Sequence, residues 1–411
     1  MRTVNLPRLV AAALAAVFPN AALADELSLS EAIHKAIANN PTVGGARHAA
    51  DAARLLARGA GKLRNPETTL SPTVVGSSGS DSAILFAQPL ELNGARAVRA
   101  AVAESRARLV AFETHAVLRE VVLRVKQAYW DVARAQELVK LSEHNLEYLR
   151  ALGAAVQKQY DLGTVPGSQV LKTELEIARA KQELAQARLE LADTKAVLAT
   201  LMNRHEGGDF AVSNPPVPAA DLPPIEELQQ AALARRPEML AAEASAAAAV
   251  HEVRAVRLEG LPDIALQARM GSLKSGGDAG VAIAITLPFM DWGARKAQER
   301  SAQSALQAGQ RRLEATANDI RLDVVRAHLA VTTLSRVVHD YESGILKQSE
   351  ELASMAETGY SKGATSYLEV LEAQRTLRGT RAVYVAALAD HAKALARLEW
   401  AVGLDETEVS K

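Results

Sequence analysis

The chain has 411 residues, 47 basic and 48 acidic side chains, a net charge of −1 and no cysteine. Such balance offers no basic surface for nucleic acid. The missing thiols exclude disulfides, thiolate catalysis, cysteine metal centres and a lipid anchor on an N-terminal cysteine.

The N-terminus reads as an export signal. Arg2 and Arg8 flank the start of a short apolar core at residues 9–18, and Ala22-Leu23-Ala24 is a pattern that signal peptidase cuts. Residues 1–24 are therefore expected to be removed, with the mature chain starting at Asp25. The apolar core is shorter than a membrane-spanning helix, and no later run approaches that length. An exported chain of this kind enters a membrane only with β-strands.

Beyond the signal the chain repeats itself. Leu29-Ser-Glu-Ala-Ile-His-Lys-Ala-Ile-Ala-Asn-Asn-Pro41 aligns with Ile225-Glu-Glu-Leu-Gln-Gln-Ala-Ala-Leu-Ala-Arg-Arg-Pro237 at an offset of 196 residues. Pro89 and Gly94-Ala-Arg96 align with Pro288 and Gly293-Ala-Arg295 at 199, and Tyr160-x-x-Gly163 with Tyr360-x-x-Gly363 at 200. Two copies of one structural unit are expected, at residues 25–212 and 225–404. A proline-rich linker at 213–224 joins them, and a tail at 405–411 follows.

Each copy opens with a helix, from Ser28 or Ser30 and from near Pro224, with a break at Pro41 or Pro237, running to about Arg64 and Glu259. A strand pair follows. In the second copy residues 263–270 form one strand and 280–287 the other, where Val281, Ile283, Ile285 and Leu287 alternate with smaller residues. The first copy, at 68–75 and 82–88, is less regular and contains Pro72. Glycine- and serine-rich turns join the strands at 76–80 and 271–277. Pro89 and Pro288 are expected to bend strand into helix, because proline cannot continue a ladder. Phe86, Phe289 and Trp292 lie at these transitions, suited either to a membrane interface or to packing at the junction.

A very long helix comes next, at 95–160 and again at 294–360, with apolar residues recurring every three or four positions. Each would extend ~100 Å at 1.5 Å per residue. Tight turns at 163–167 and 363–366 lead into helices returning to about Met202 and Val402. The many alanines let helix axes approach closely, as in coiled coils. Four short strands cannot close a membrane barrel, whose smallest bacterial form has about eight. Subunits must pool strands: a dimer gives eight and a trimer twelve.

The order of elements, given twice, resembles the TolC family of outer membrane factors. The similarity is carried by Gln88-Pro-Leu-Glu-Leu-Asn-Gly-Ala-Arg96, Leu287-Pro-Phe-Met-Asp-Trp-Gly-Ala-Arg295 and Tyr360-Ser-Lys-Gly-Ala-Thr-Ser-Tyr-Leu-Glu-Val-Leu-Glu-Ala-Gln374. It covers essentially the whole mature chain. The resemblance implies a mostly α protein with a small β part, forming a homotrimer with a shared twelve-stranded barrel in outer-membrane lipid and an α-helical periplasmic tunnel. It implies a periplasmic adaptor and an inner-membrane pump as partners, and no cofactor. The chain length and Gln-Pro-Leu-Glu-Leu-Asn-Gly are also similar to the CzcC-like branch of metal-efflux channels. Drug efflux and polypeptide secretion use channels of the same shape.

By that resemblance Glu369 and Glu372, three apart on one helix face, ring the tunnel entrance and favour cations. Read without the family, such a pair is an ordinary solvated face. Tyr360 matches the family's entrance tyrosine. The chain departs from TolC at Thr365, where a basic residue is usual, and at Gln169, where an acid is usual. Asp161 and Lys362 could supply closing links instead. The turns at Gly163-Thr164 and Gly363-Ala364 match adaptor docking sites, though such glycines also simply end helices. The nine histidines form no metal-binding pair, so no resident metal is expected. No nucleophile elbow, phosphate loop or dinucleotide fingerprint occurs, so no enzyme is expected. A soluble periplasmic adaptor is the rival reading, but adaptors carry one helical hairpin rather than two.

Overall fold

The computed structural model describes residues 25–71, 83–204, 210–213, 222–270, 279–287 and 290–404. The leader, most of the linker, the tail, the strand-joining turns, Pro72, Pro288 and Phe289 lie outside the described residues. The first half contains α1 (Leu29–Asn39), α2 (Pro41–Ala60), β2 (Glu67–Ser71), β3 (Ala83–Pro89), α3 (Ala95–Asp161) and α4 (Gly167–Leu201). The second contains α5 (Ile225–Arg235), α6 (Pro237–Leu258), β5 (Asp263–Met270), β6 (Ala279–Thr286), α7 (Ala294–Asp340), α8 (Leu346–Ser361) and α9 (Tyr367–Val402). Ser28 and Glu31 form a capping box on α1. Pro41 and Pro237 each open a new helix at its first position, where a missing N–H costs nothing.

Two expectations need correction. The second long helix is not uniform: between α7 and α8, residues Tyr341–Ile345 form a π-helical turn. The three segments hold 47, five and 16 residues, one more than the 67 of α3. Nor does the bend fall at Pro89, which still pairs in register with Ala265 as the last residue of β3. The next amide, Leu90, donates to Ile264 O at 2.8 Å, and the chain turns at Glu91 (φ 43°) and Gly94 (φ 83°). Proline lacks an N–H but keeps its carbonyl, so it fits the end of a ladder.

The sheet is antiparallel in the order β2-β3-β5-β6, so the strand pairs of the two halves meet at β3 and β5. Its register places Leu70, Ile84, Phe86, Leu266, Met270, Val281, Ile283 and Ile285 on one face. The other face carries Glu67, Thr69, Asp263, Gln267, Arg269 and Thr286, with Leu85, Pro89 and otherwise small residues. The apolar face lies open, Val281 being 76% exposed. No described helix is long and apolar enough to cross a membrane.

A second sheet, not expected from sequence, pairs β1 (Asp25–Leu27) in parallel with β4 (Phe210–Val212). It seals the main core, where α1, α3 and α4 bury Ile33, Val125, Tyr129, Val132 and Leu198. The Tyr129 hydroxyl lies within hydrogen-bond reach of Leu27 O (3.1 Å), Ser213 O (2.7 Å) and Ser213 Oγ (2.8 Å). The equivalent core of the second half gathers Leu228, Ile320, Val324, Val331 and Leu398. Below the two cores the helices form a long wall. The faces of α4 and α7 turned away from their own buried seams expose Leu171, Leu175 and Leu189 on one edge, and Leu322 and Leu329 on the other. Tyr129→Phe leaves a buried carbonyl without its donor and should lower stability by about 1–3 kcal/mol, read as a lower midpoint in thermal melts of the purified protein.

Candidate functional site at the helical tip

Two hairpins, α3–α4 and α8–α9, end side by side. Their turns share one geometry: Gly163 and Gly363 both have φ 73°, a left-handed conformation that glycine adopts without strain. Thr164 N donates to Gln159 O at 2.9 Å, and Ala364 N to Gly359 O at 2.8 Å. Gly163, Thr164, Gly363 and Ala364 are all exposed. In the second turn Thr365 folds back, its hydroxyl donating to Ala356 O at 2.9 Å. It packs so closely that a Cβ on Gly359 would lie 2.6 Å from its methyl group. The residue replacing the usual cation thus closes the turn onto its own helix.

Glu369 and Glu372 are exposed on the first turns of α9 and line a shallow groove with Leu352, Met355 and Thr376. Glu369 also has a local task that the spacing Ser366-x-x-Glu369 encodes. Its carboxylate accepts from Ser366 N at 2.9 Å while Ser366 Oγ accepts from Glu369 N at 3.3 Å, a capping box. The first hairpin has Pro166 at that cap, with no side-chain bond. Its Gln169 is turned inward, with Oε1 buried and unpartnered among the described residues.

Asp161 and Lys362 do not meet within the chain. Asp161 accepts from Gln157 on its own helix at 2.8 Å, and Lys362 is exposed. Other residues join the hairpins. Tyr360 Oη donates to Gln159 Oε1 at 3.0 Å, and the Tyr360 and Tyr367 rings lie 6.1 Å apart. Thr173 Oγ1 donates to Gln169 O at 2.8 Å, so the buried Tyr367 hydroxyl is the donor in its bond to Thr173. Burial pushes the Tyr367 hydroxyl pKa up. Further out, Arg375 pairs with Glu176 and Arg378 with Glu183, both reaching from α9 to α4. These partners lie about 200 residues apart, and a single sequence gives no signal that would pair them.

At the opposite end, the strand-to-helix junction is pinned by Glu91, which sequence reading did not single out. Its side chain is only 3% exposed and pairs with Arg64 at 3.2 Å and with Arg99. Arg99 also donates to Ala60 O at 2.9 Å and Lys62 O at 3.0 Å. The Arg99 hydrogen bond holds the Glu91 carboxyl below the usual carboxylate range. In the second half Asp291 and Arg295 pair at 2.8 Å, and Trp292 stands 92% exposed. Among the described residues no group of three or more histidine, aspartate or glutamate side chains could hold a metal ion.

An open apolar sheet face above a wall of helices ~100 Å long is the architecture of an outer-membrane channel subunit. The chain belongs to the outer membrane efflux protein family, whose model matches residues 32–204 and 228–404. It is 25% identical over 391 residues to the cobalt-zinc-cadmium resistance protein CzcC of Cupriavidus metallidurans, covering 94% of this chain and 92% of that one. It is 26% identical over 297 residues to the pyoverdine export outer membrane protein OpmQ of Pseudomonas aeruginosa, covering 68% and 59%. In structure it is similar to CusC, with a TM-score of 0.79, 20% identity and coverage of 91% and 92%. The fold is therefore TolC-like, and the protein resides in the outer membrane and extends into the periplasm.

The cap and the charge of Glu369 can be separated. Ser366→Ala should cost about 1 kcal/mol, whereas Glu369→Gln keeps a reciprocal acceptor and should leave thermal stability nearly unchanged.

Proposed function

We propose that three copies of this chain close head to tail into an exit duct, the outer-membrane part of a tripartite efflux system. The observation that carries this reading is the four-stranded sheet whose edge strands β2 and β6 have no partner among the described residues. Unpaired backbone cannot persist in lipid, and β2 belongs to the first half while β6 belongs to the second. Joining β6 of one copy to β2 of the next satisfies both edges, and three copies give a barrel of twelve strands. The leucines on the outward faces of α4 and α7 meet in the same arrangement. The apolar sheet face then contacts lipid, and the exposed Trp292 lies at the headgroup level. The mature unit begins at Asp25, with halves 25–212 and 225–404 joined by residues 213–224 and a short tail at 405–411.

The turns at Gly163-Thr164 and Gly363-Ala364 form the docking surface for a periplasmic adaptor, through which an inner-membrane pump delivers cargo. Glu369 and Glu372 recur around the axis as an acidic ring at the entrance, and the Tyr360, Tyr367, Arg375 and Arg378 contacts hold that entrance closed. Clustered carboxylates favour cations. The likeness to CzcC over nearly the whole chain supports metal cations as cargo, crossing without a resident metal site. Export of small organic compounds is the second reading, favoured by the likeness to OpmQ.

Gene deletion followed by challenge with zinc, cobalt, nickel, copper and a drug panel distinguishes the two. Metal sensitivity is expected; sensitivity confined to drugs removes the metal reading. In planar bilayers the double variant E369Q/E372Q should lose cation preference, seen as a reversal potential moving toward zero in a salt gradient. Unchanged selectivity means these acids do not line the entrance.

A further inference from the structure

Beneath the sheet the helices keep the order of the strands they serve. α2 packs on α3, α3 on α6 and α6 on α7, as β2, β3, β5 and β6 follow one another above. At this level α2 and α7 are therefore the two edges of the wall. A trough of about 980 Å³ runs along one side of it, lined by Ala53 and Leu56 of α2, Val102 of α3, Val256 of α6 and Ala302 and Ala305 of α7, with Asp263 at its top. Asp263 belongs to the polar face of the sheet, so the trough and that face look the same way.

Two pairs of cations lie on the edge helices, away from the trough. Arg58 follows Ala53 by five residues, about 140° around α2, and Arg300 precedes Ala305 by the same step on α7. Lys62 stands just past the end of α2, and Lys296 lies one turn before Arg300 on the same face. All four are exposed, and none has an ion-pair partner among the described residues. They share one height: Arg99 of α3 donates to Ala60 O and Lys62 O, and its repeat equivalent at the offset of 199 is position 298, between Lys296 and Arg300. The nearby acids are engaged elsewhere. Asp51 is taken by Arg54, Asp291 by Arg295 and Glu299 by Arg257, Glu259 lines the trough, and Glu67 lies on the polar sheet face.

In a ring of three copies, where β6 of one copy meets β2 of the next, α7 meets the next copy's α2. Each seam then gathers four like charges on the side of the apolar sheet face. A few residues above them Trp292 stands 92% exposed, with φ at 50°, a strained conformation for so bulky a side chain. We propose that each seam binds the phosphate headgroup of an anionic phospholipid, held by Lys296 and Arg300 of one copy and by Arg58 and Lys62 of the next, with Trp292 against the start of its acyl chains. The phosphate offsets a repulsion that ring closure itself creates, and the apolar sheet face directly above accommodates the chains, which a free anion lacks. The site rests on the three-copy reading and is incomplete in a single chain.

Native mass spectrometry of the full-length protein in detergent tests it, with phosphatidylglycerol, phosphatidylcholine and inorganic phosphate as separate additions. Trimers should retain phosphatidylglycerol, up to one molecule per seam, and neither of the others. K296Q/R300Q and R58Q/K62Q should each weaken that retention about tenfold, whereas K172Q/K181Q, which removes the same charge from exposed positions of α4, should leave it unchanged. If both lipids are retained equally, or if the α4 variant loses as much as the other two, the site is wrong and the ring stands. An effect of only one of the two pairs overturns the shared seam, and inorganic phosphate binding as tightly as the lipid overturns the lipid as occupant. A protein that never forms trimers removes ring and site together.

Discussion

The unpaired edges of one small sheet govern the whole molecule. Four strands with an apolar outer face find no further partner among the described residues, and lipid offers nothing to bond their free amides and carbonyls. The remedy must come from other copies, and it must be a closed ring, because an open series would leave two edges exposed. Everything below the sheet inherits that ring. The helices continue the wall that the strands begin, so their hydrophobic residues gather in narrow seams between neighbours, and no solid centre forms.

That geometry explains how so long a wall is held. A single layer of helices buries only a stripe of each, and alanine keeps neighbouring axes close. Extra strength is concentrated where the layer would otherwise peel. At the waist, Arg236 is buried between Glu238 and Asp323, and it stacks 4.3 Å from the centre of the Trp400 ring, with Arg397 at 4.0 Å from the same ring. Lys126–Glu399 and Lys393–Asp131 join the first half to the second near the same level. Arg119 donates to the Trp400 carbonyl at 2.6 Å. Paired and stacked cations thus tie the first half to the second at this level.

Much of this was legible in the sequence because it depends on periodicity. The three-and-four pattern of α3, the alternation in β6 and the helix-opening prolines are local signals that act over a few residues. The duplication made each half a check on the other, so the irregular β2, with Pro72 just beyond it, could be read from the cleaner β5. What escaped reading was non-local or too short. Three-residue strands such as β1 and β4 carry no periodic signal, and their pairing depends on Tyr129 lying between them. Glu91 looked like one more acid in a family motif, and only the approach of Arg64 and Arg99 makes it a pin. The tip was half legible: the positions of Glu369 and Tyr360 were evident, yet the bonds between hairpins join residues two hundred positions apart. The π-turn was present in the numbers as a one-residue change of offset, but an offset does not say where along a helix the extra residue is stored.

That stored residue bears on the symmetry of the pore. Three copies of an evenly duplicated chain would give a tube with six matching hairpins, round at every height. Six equal hairpins can narrow only by all bending inward together, crowding the axis equally from every side. With the surplus residue confined to the second half, alternate hairpins differ, and the tube can pass from near-sixfold at the waist to threefold at its end.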